Sequence, residues 1–224
     1  MRSLSPRRRE GLASPPIWEP DAQPQEMMSP SGFRLLPGRL DETAQGALVA
    51  QVLEAAQAAP FYRPVTPGGK PFSVMMTSMG PLGWVSDRGG YRYQPTHPET
   101  GRPWPPVPAA LLDLWDRLAG ADGPPDACLV NLYRGPAKMG LHQDRDEADF
   151  SQPVLSVSLG DTAVFRYGPA GGGPTRSVRL ASGDVCRLSG PDRLMRHGID
   201  RVLEGSSGLI PGGGRINLTL RRAL

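Results

Sequence analysis

The sequence predicts an α+β protein in which helices buttress one face of a β-sandwich or jelly roll. Three observations carry that expectation. Apolar residues recur at helical spacing only before residue 120; seven short strand-like runs follow from residue 127; and 28 glycines and 26 prolines punctuate the 224 residues. Helices first and strands after, without alternation, mark an α+β order rather than repeated strand-helix units. Glycine and proline together make about 24% of the chain, just under the roughly 25–30% at which unpatterned content signals low complexity. With 38% hydrophobic residues the chain still builds a core, so the excess reads as many turns between short elements, and a bundle of long helices is excluded.

Residues 1–30 hold six prolines and clustered charge without apolar periodicity, the composition of a disordered Pro/Arg-rich tail. At Asp41 the pattern changes. Asp41 is a helix cap, Leu48, Val52, Ala55, Ala56 and Ala59 follow at helical spacing, and Pro60 ends the run. A second helix fits Pro108 to Ala119, with Pro108 in the first turn, Leu111, Leu112, Trp115 and Leu118 on one stripe, and Gly120 as the stop. Strands are expected at 127–133, 154–159, 163–167, 177–180, 184–188, 193–199 and 215–221, each bounded by Gly, Pro or Asp. So many short strands in about a hundred residues close upon themselves, because open edges would stay unpaired.

The net charge of +3 is compatible with a polyanionic partner but too small to imply one. Residues 1–30 balance four arginines against four acids, so the excess lies beyond them. Cys128 and Cys186 lack CxxC spacing, which argues against a zinc site or a disulfide framework and fits a reducing compartment. No apolar h-region follows the early arginines and no run approaches membrane-spanning length, so the expectation is a soluble, cytoplasmic protein.

The chain has three histidines. In His142-Gln143-Asp144 a spacing of two places both side chains on one face of an extended segment. His197 lies 55 residues on, at the end of an expected strand. Two imidazoles and a carboxylate on neighbouring strands would occupy one face of an octahedral ion and leave three positions for cosubstrate and oxygen, the ligand set of non-haem Fe(II) oxygenases. HxD alone also suits a structural pair in which Asp144 holds His142. The last strand adds to the metal reading. Arg215, Asn217, Thr219 and Arg221 share one face, and Ile216, Leu218 and Leu220 the other. If the aliphatic face packs on the helices, two arginines point into the barrel, where they need anions such as a dicarboxylate; the alternative is an edge strand with a wet polar face. Asn131 and Tyr133 share a face of another strand and either reach the same ligand or bond to protein.

In order along the chain, Ala127-Cys128-Leu129-Val130-Asn131-Leu132-Tyr133, His142-Gln143-Asp144-Arg145-Asp146-Glu147, Val154 to Gly160, His197-Gly198-Ile199 and Arg215 to Arg221 resemble the bacterial AlkB-type alkylation-repair dioxygenases. Val65 to Lys70, Leu82-Gly83-Trp84 and Gly90-Tyr91-Arg92-Tyr93 resemble the substrate-binding lid of the same family. The resemblance runs from about residue 31 to 222 and leaves out only the tail. It implies a double-stranded β-helix (jelly roll) over 127–224, with 31–126 supplying the helical buttress and nucleotide-recognition lid and 31–224 forming one structural domain. It implies Fe(II) held by His142, Asp144 and His197; 2-oxoglutarate held by Asn131, Tyr133, Arg215, Asn217 and Arg221; and substrate contacts from Trp84, Tyr91 and Asp146. The implied reaction consumes O2 and converts 2-oxoglutarate to succinate while demethylating bases of the 1-methyladenine or 3-methylcytosine type in DNA, with formaldehyde released. Methylated RNA or a protein side chain is the alternative substrate. The implied partner is alkylated DNA, single-stranded or with a flipped base, and the expected protein is a monomer with no membrane association.

These roles make physical sense. A base inside a duplex must be extruded to reach buried iron, and Trp84 with His142 would hold it between flat rings. A carboxylate at Asp146 suits a base made cationic by alkylation. Trp84, set among Gly83, Ser86, Asp87, Arg88 and Gly89, reads as part of an exposed loop. The 168–176 loop lacks a secure match for a basic residue that relatives use near substrate, with Arg176 as the candidate. His97 reads as surface structure in a turn, Met75, Met76 and Met79 as lid or core packing, and both cysteines as small hydrophobes within strands.

Overall fold

A computed structural model of the chain describes residues 26–29 and 32–224. Of the expected tail, residues 1–25 and 30 lie outside the described residues, whereas Met27–Met28 (β1) pair antiparallel with Arg34–Leu36 (β2). The first helix, Glu42–Ala58 (α1), begins as its sequence predicts, with Asp41 Oδ1 accepting the Ala44 N–H at 2.8 Å. Next come Met75–Met79 (β3) and a hairpin of Gly83–Asp87 (β4) with Gly90–Gln94 (β5). Trp84 is therefore a half-buried strand residue, not part of an exposed loop. The second helix is Ala109–Leu118 (α2), which buries Leu114 beside the predicted Leu111 and Trp115.

From there the strands are Ala127–Tyr133 (β6), Met139–His142 (β7), Val154–Gly160 (β8), Ala163–Gly168 (β9), Arg176–Leu180 (β10), Val185–Leu188 (β11), Arg196–Val202 (β12) and Arg215–Arg221 (β13). Sequence reasoning missed β7 and started β12 three residues early. Gly190–Leu194 is a 3-10 turn with Pro191 in its first positions, where the fixed φ of proline suits a turn entry and its missing N–H is not needed by a ladder.

The strands form two sheets of a double-stranded β-helix. Seven are ordered β1-β2-β11-β8-β13-β6-β3 and four are ordered β10-β9-β12-β7. Alternation along β13 sets the layers. Ile216, Leu218 and Leu220 face outward and join Leu48, Val49 and Val52 of α1 and Leu111, Leu114 and Trp115 of α2 in one buried cluster. Arg215, Asn217, Thr219 and Arg221 face inward between the sheets, and all seven residues of the strand are buried. Neighbouring β6 and β8 repeat the division: Val130 and Val157 pack toward the helices, while Leu129, Tyr133 and Val154 join Phe165, Leu180 and Ile199 between the sheets. Cys128 falls in the first cluster and Cys186 in the second; both are buried and outside any disulfide, and burial pushes each thiol up to about 12.

His97 departs from its expected place at the surface. It is buried at 1% exposure between the rings of Tyr62 and Trp104. Nδ1 accepts the N–H groups of Glu99 and Thr100, which leaves Nε2–H to donate to the Pro60 carbonyl at 2.8 Å. A neutral ring with both nitrogens satisfied can be buried inside a turn.

Strand β7 lies at an edge, held through β12 with a bulge between the pairs His197–His142 and Ile199–Met139. That bulge presses β7 against Gly198. A Cβ there would stand 2.5 Å from the Met139 carbonyl oxygen and 2.7 Å from that of Gly140. Gly198→Ala is expected to destabilise the protein by about 1–3 kcal/mol in urea unfolding, because the two strands must part. The same variant is expected to bind Co(II) more weakly, since the displaced Gly140 carbonyl also orients His142. Unchanged stability and affinity would show that β7 yields freely.

Candidate active site

The mouth of the barrel opens into a cavity of about 360 Å³, the size of a small-ligand site. All eleven residues singled out in the sequence line it: Trp84 and Tyr91 from the hairpin, Asn131 and Tyr133 from β6, His142, Asp144 and Asp146 from β7 and the segment after it, His197 from β12, and Arg215, Asn217 and Arg221 from β13.

At one end, His142 and His197 face each other across the β7–β12 pair with ring centroids 4.5 Å apart. Asp144 lies between them, its Oδ1 3.6 Å from His142 Nε2 and its Oδ2 3.8 Å from His197 Nε2. One donor atom from each of the three falls within 4.8 Å of the others. Each Nδ1 meets a carbonyl, Gly140 O at 2.9 Å for His142 and Met195 O at 3.1 Å for His197. A carbonyl only accepts, so both rings carry a proton on Nδ1 and turn Nε2 toward Asp144. Two imidazole nitrogens and a carboxylate converging on one point are the donor set of a non-haem iron centre, and three protein donors leave room for further ligands.

The charges around the centre agree with that fit. Burial pulls the His197 imidazolium down from 6.5 to about 4, with the nearby Asp144 charge opposing the shift, so the ring is a neutral donor at physiological pH. Burial also works against ionisation of Asp144, but the facing guanidinium charges, Arg221 first and Arg193 behind it, outweigh it and hold the carboxyl well below the usual range. Arg221 Nη2 lies 3.0 Å from Asp144 Oδ2, yet off the line of a hydrogen bond, so this buried oxygen has a counter-charge but no aligned donor.

Farther in, Arg215 is buried at 1% exposure with only Nη2 bonded, to Ser158 Oγ at 3.0 Å; its Nε and Nη1 have no partner. Burial lowers its affinity for the proton, which makes an unmatched guanidinium here costly unless an anion arrives. Asn131 Oδ1 is also unpartnered, and Asn217 is oriented by Ser156 Oγ at 2.6 Å and by the Thr219 hydroxyl at 2.9 Å. Unsatisfied donors on a buried cation suit a bound carboxylate. Arg221 differs: Asp144 and Glu147 already balance its charge.

At the outer end the Trp84 indole stacks on Tyr91 with centroids 5.6 Å apart, and its Nε1–H donates to Asp146 Oδ2 at 2.7 Å. Arg196 Nε and Nη2 bond the Pro169 and Gly173 carbonyls, holding the glycine-rich loop beside Arg176, whose own side chain is exposed. Sequence reasoning assigned no role to three further residues that touch the centre's charges. Glu147 stands at the end of the His142–Glu147 run, Arg193 is hidden in a turn, and Tyr93 shares a face of β5 with Tyr91. Only the alternation on β5 and the density of acids after His142 could have signalled them.

Fold and site together define an iron- and 2-oxoglutarate-dependent dioxygenase, and the chain belongs to the 2OG-Fe(II) oxygenase superfamily, whose profile matches residues 32–221. Within that superfamily it is of the bacterial AlkB type. It is 66% identical over 193 residues to the alpha-ketoglutarate-dependent dioxygenase AlkB homolog of Caulobacter vibrioides, covering 86% of this chain and 88% of that one. It is 40% identical over 208 residues to the alpha-ketoglutarate-dependent dioxygenase AlkB of Escherichia coli, covering 91% and 95%. Among solved structures OsALKBH1 superposes with a TM-score of 0.74 at 29% identity, covering 88% of this chain and all of that one. Among the described residues no helix is long and apolar enough to cross a membrane.

Because the folded pKa of His197 is depressed, its stability contribution is fully present above about pH 6.5 and is lost as the pH falls toward 4. In metal-free protein, an NMR titration of the imidazole resonances is expected to place its midpoint near pH 4. A midpoint at 6.5 or above would contradict the burial of a neutral ring.

Proposed function

We propose that this dioxygenase removes methyl groups from the N1 position of adenine and the N3 position of cytosine in DNA. The observation that carries the reading is the outer end of the cavity: an aromatic pair, Trp84 and Tyr91, and a carboxylate, Asp146, hydrogen-bonded to the indole, at the entrance to a cavity that also holds the histidine-carboxylate cluster. A flat cation stacks well on an aromatic face of this kind. Methylation at these ring nitrogens makes the base cationic while leaving an exocyclic amine to donate, so Asp146 balances the charge and accepts the hydrogen bond.

In this reading His142, Asp144 and His197 hold Fe(II). Asn131, Tyr133, Arg215, Asn217 and Arg221 surround 2-oxoglutarate, Arg215 offering its unpaired donors to a carboxylate. Fe(II) held there would, with 2-oxoglutarate and dioxygen, supply the oxidising power to hydroxylate the N-methyl carbon, with succinate and carbon dioxide as co-products, and the hydroxymethylated base would then lose formaldehyde. The chain's own part is placement. Trp84 stacks on the extruded base against His142, Tyr91 meets the nucleic-acid backbone, and the barrel wall keeps water from the reacting carbon. The enzyme acts as a monomer, with residues 31–224 as its structural unit.

Formaldehyde release from an oligonucleotide carrying 1-methyladenine or 3-methylcytosine, dependent on both iron and 2-oxoglutarate, is the expected outcome; its absence with both present would overturn the function. Asp144→Ala is expected to abolish release and Co(II) binding together. Trp84→Ala is expected to keep Co(II) but to weaken binding of the methylated oligonucleotide about tenfold, in line with the roughly 1–3 kcal/mol of one base stack.

A further inference from the structure

We propose that Tyr93 and Glu147 link the β4–β5 hairpin to the metal centre, so that occupation of the centre by a cation tightens the hairpin over the cavity. Two acids and two arginines stand in a closed circuit behind the histidines. Asp144 Oδ2 lies 3.0 Å from Arg221 Nη2, Arg221 Nε lies 3.3 Å from Glu147 Oε1, and Glu147 Oε2 lies 3.0 Å from Arg193 Nη2. Arg193 Nη1 closes the loop by donating to the backbone carbonyl of Asp144 at 3.1 Å. All four side chains are under 10% exposed, so their charges are balanced almost wholly against one another.

Tyr93 is the point at which the hairpin enters this circuit. Its hydroxyl donates to Glu147 Oε1 at 2.6 Å and accepts from Arg221 Nη1 at 3.3 Å. Trp84 is its cross-strand partner, and the Trp84 indole bonds Asp146, the residue before Glu147. Each strand of the hairpin is therefore tied to one of two consecutive residues that follow Asp144. A cation bound at Asp144 takes up much of that carboxylate's charge and loosens its claim on Arg221. Within the circuit, Glu147 and the Tyr93 hydroxyl are what remains for the guanidinium to engage, and the hairpin gains what Asp144 gives up. The link rests on Asp144 being a metal ligand but requires nothing of the substrate.

Hydrogen exchange of peptides spanning 83–94, in the full chain with and without saturating Co(II), tests it. In the parent protein Co(II) is expected to slow hairpin exchange about fivefold or more, the scale of an ordinary coupling between sites. Tyr93→Phe keeps the ring and removes only the hydroxyl, and is expected to lose that slowing. No slowing in the parent, or equal slowing in Tyr93→Phe, would overturn the link. Should Tyr93→Phe leave the hairpin unprotected before metal is added, reciprocity decides: Co(II) must then bind about fivefold more weakly, and unchanged affinity overturns the proposal. No nucleic acid or turnover enters either measurement, so a failure to release formaldehyde would fall on the substrate assignment alone. Co(II) binding that survives Asp144→Ala would fall on the ligand assignment.

Discussion

Burial of Asp144 is the constraint around which the centre is organised. A carboxylate that must stay ionised in order to hold a metal is placed where burial favours its neutral form, and the protein resolves the conflict with Arg221 at 3.0 Å. That solution creates a second problem, since a buried guanidinium needs more than one anionic oxygen. Glu147 supplies it, and Glu147 in turn requires Arg193. Each charge is tolerable only because the next is present, which is why the set is confined to one corner, where the Tyr93 hydroxyl joins it to the hairpin.

The barrel accommodates these polar groups because its strands separate two environments residue by residue. Along β13 every second side chain belongs to the aliphatic layer under α1 and α2, and the intervening ones project into the cavity. The helices therefore do more than cover a face. By fixing the register of Ile216, Leu218 and Leu220 they fix where Arg215 and Arg221 stand, and a slip by one residue would exchange the layers. The histidine side of the barrel has no such backing. His142 and His197 are aimed instead by local carbonyls, Gly140 and Met195, each two residues before the ring it holds.

What the sequence revealed follows the same division. The strands over 127–133 and 215–221 stand at the residues that alternation predicts, and α1 starts at its Asp41 cap, because in each case a repeating pattern or a capping side chain carries the information locally. The hairpin strands, β3 and β7 were missed. Met75-Met76-Thr77-Ser78-Met79 has no clear alternation, and Met139-Gly140-Leu141-His142 is too short for one. The eleven candidate residues meet in a single cavity, yet Tyr93, Glu147 and Arg193 drew no role, since their importance lies in contacts 46 to 54 positions apart rather than in any spacing. His97 failed for the opposite reason: its turn-like neighbours suggested water, and only tertiary packing encloses it.

The bulged pairing of β7 with β12 has a consequence for how the molecule comes apart. An edge strand of four residues, joined to one neighbour, frays readily. Yet it carries one histidine while its neighbour carries the other. An ion gripped by both would act as a staple across that seam, so the group that serves the chemistry would also complete the wall. Loss of the ion would then be the first event of unfolding on this side of the barrel, well before the helix-backed sheet lets go.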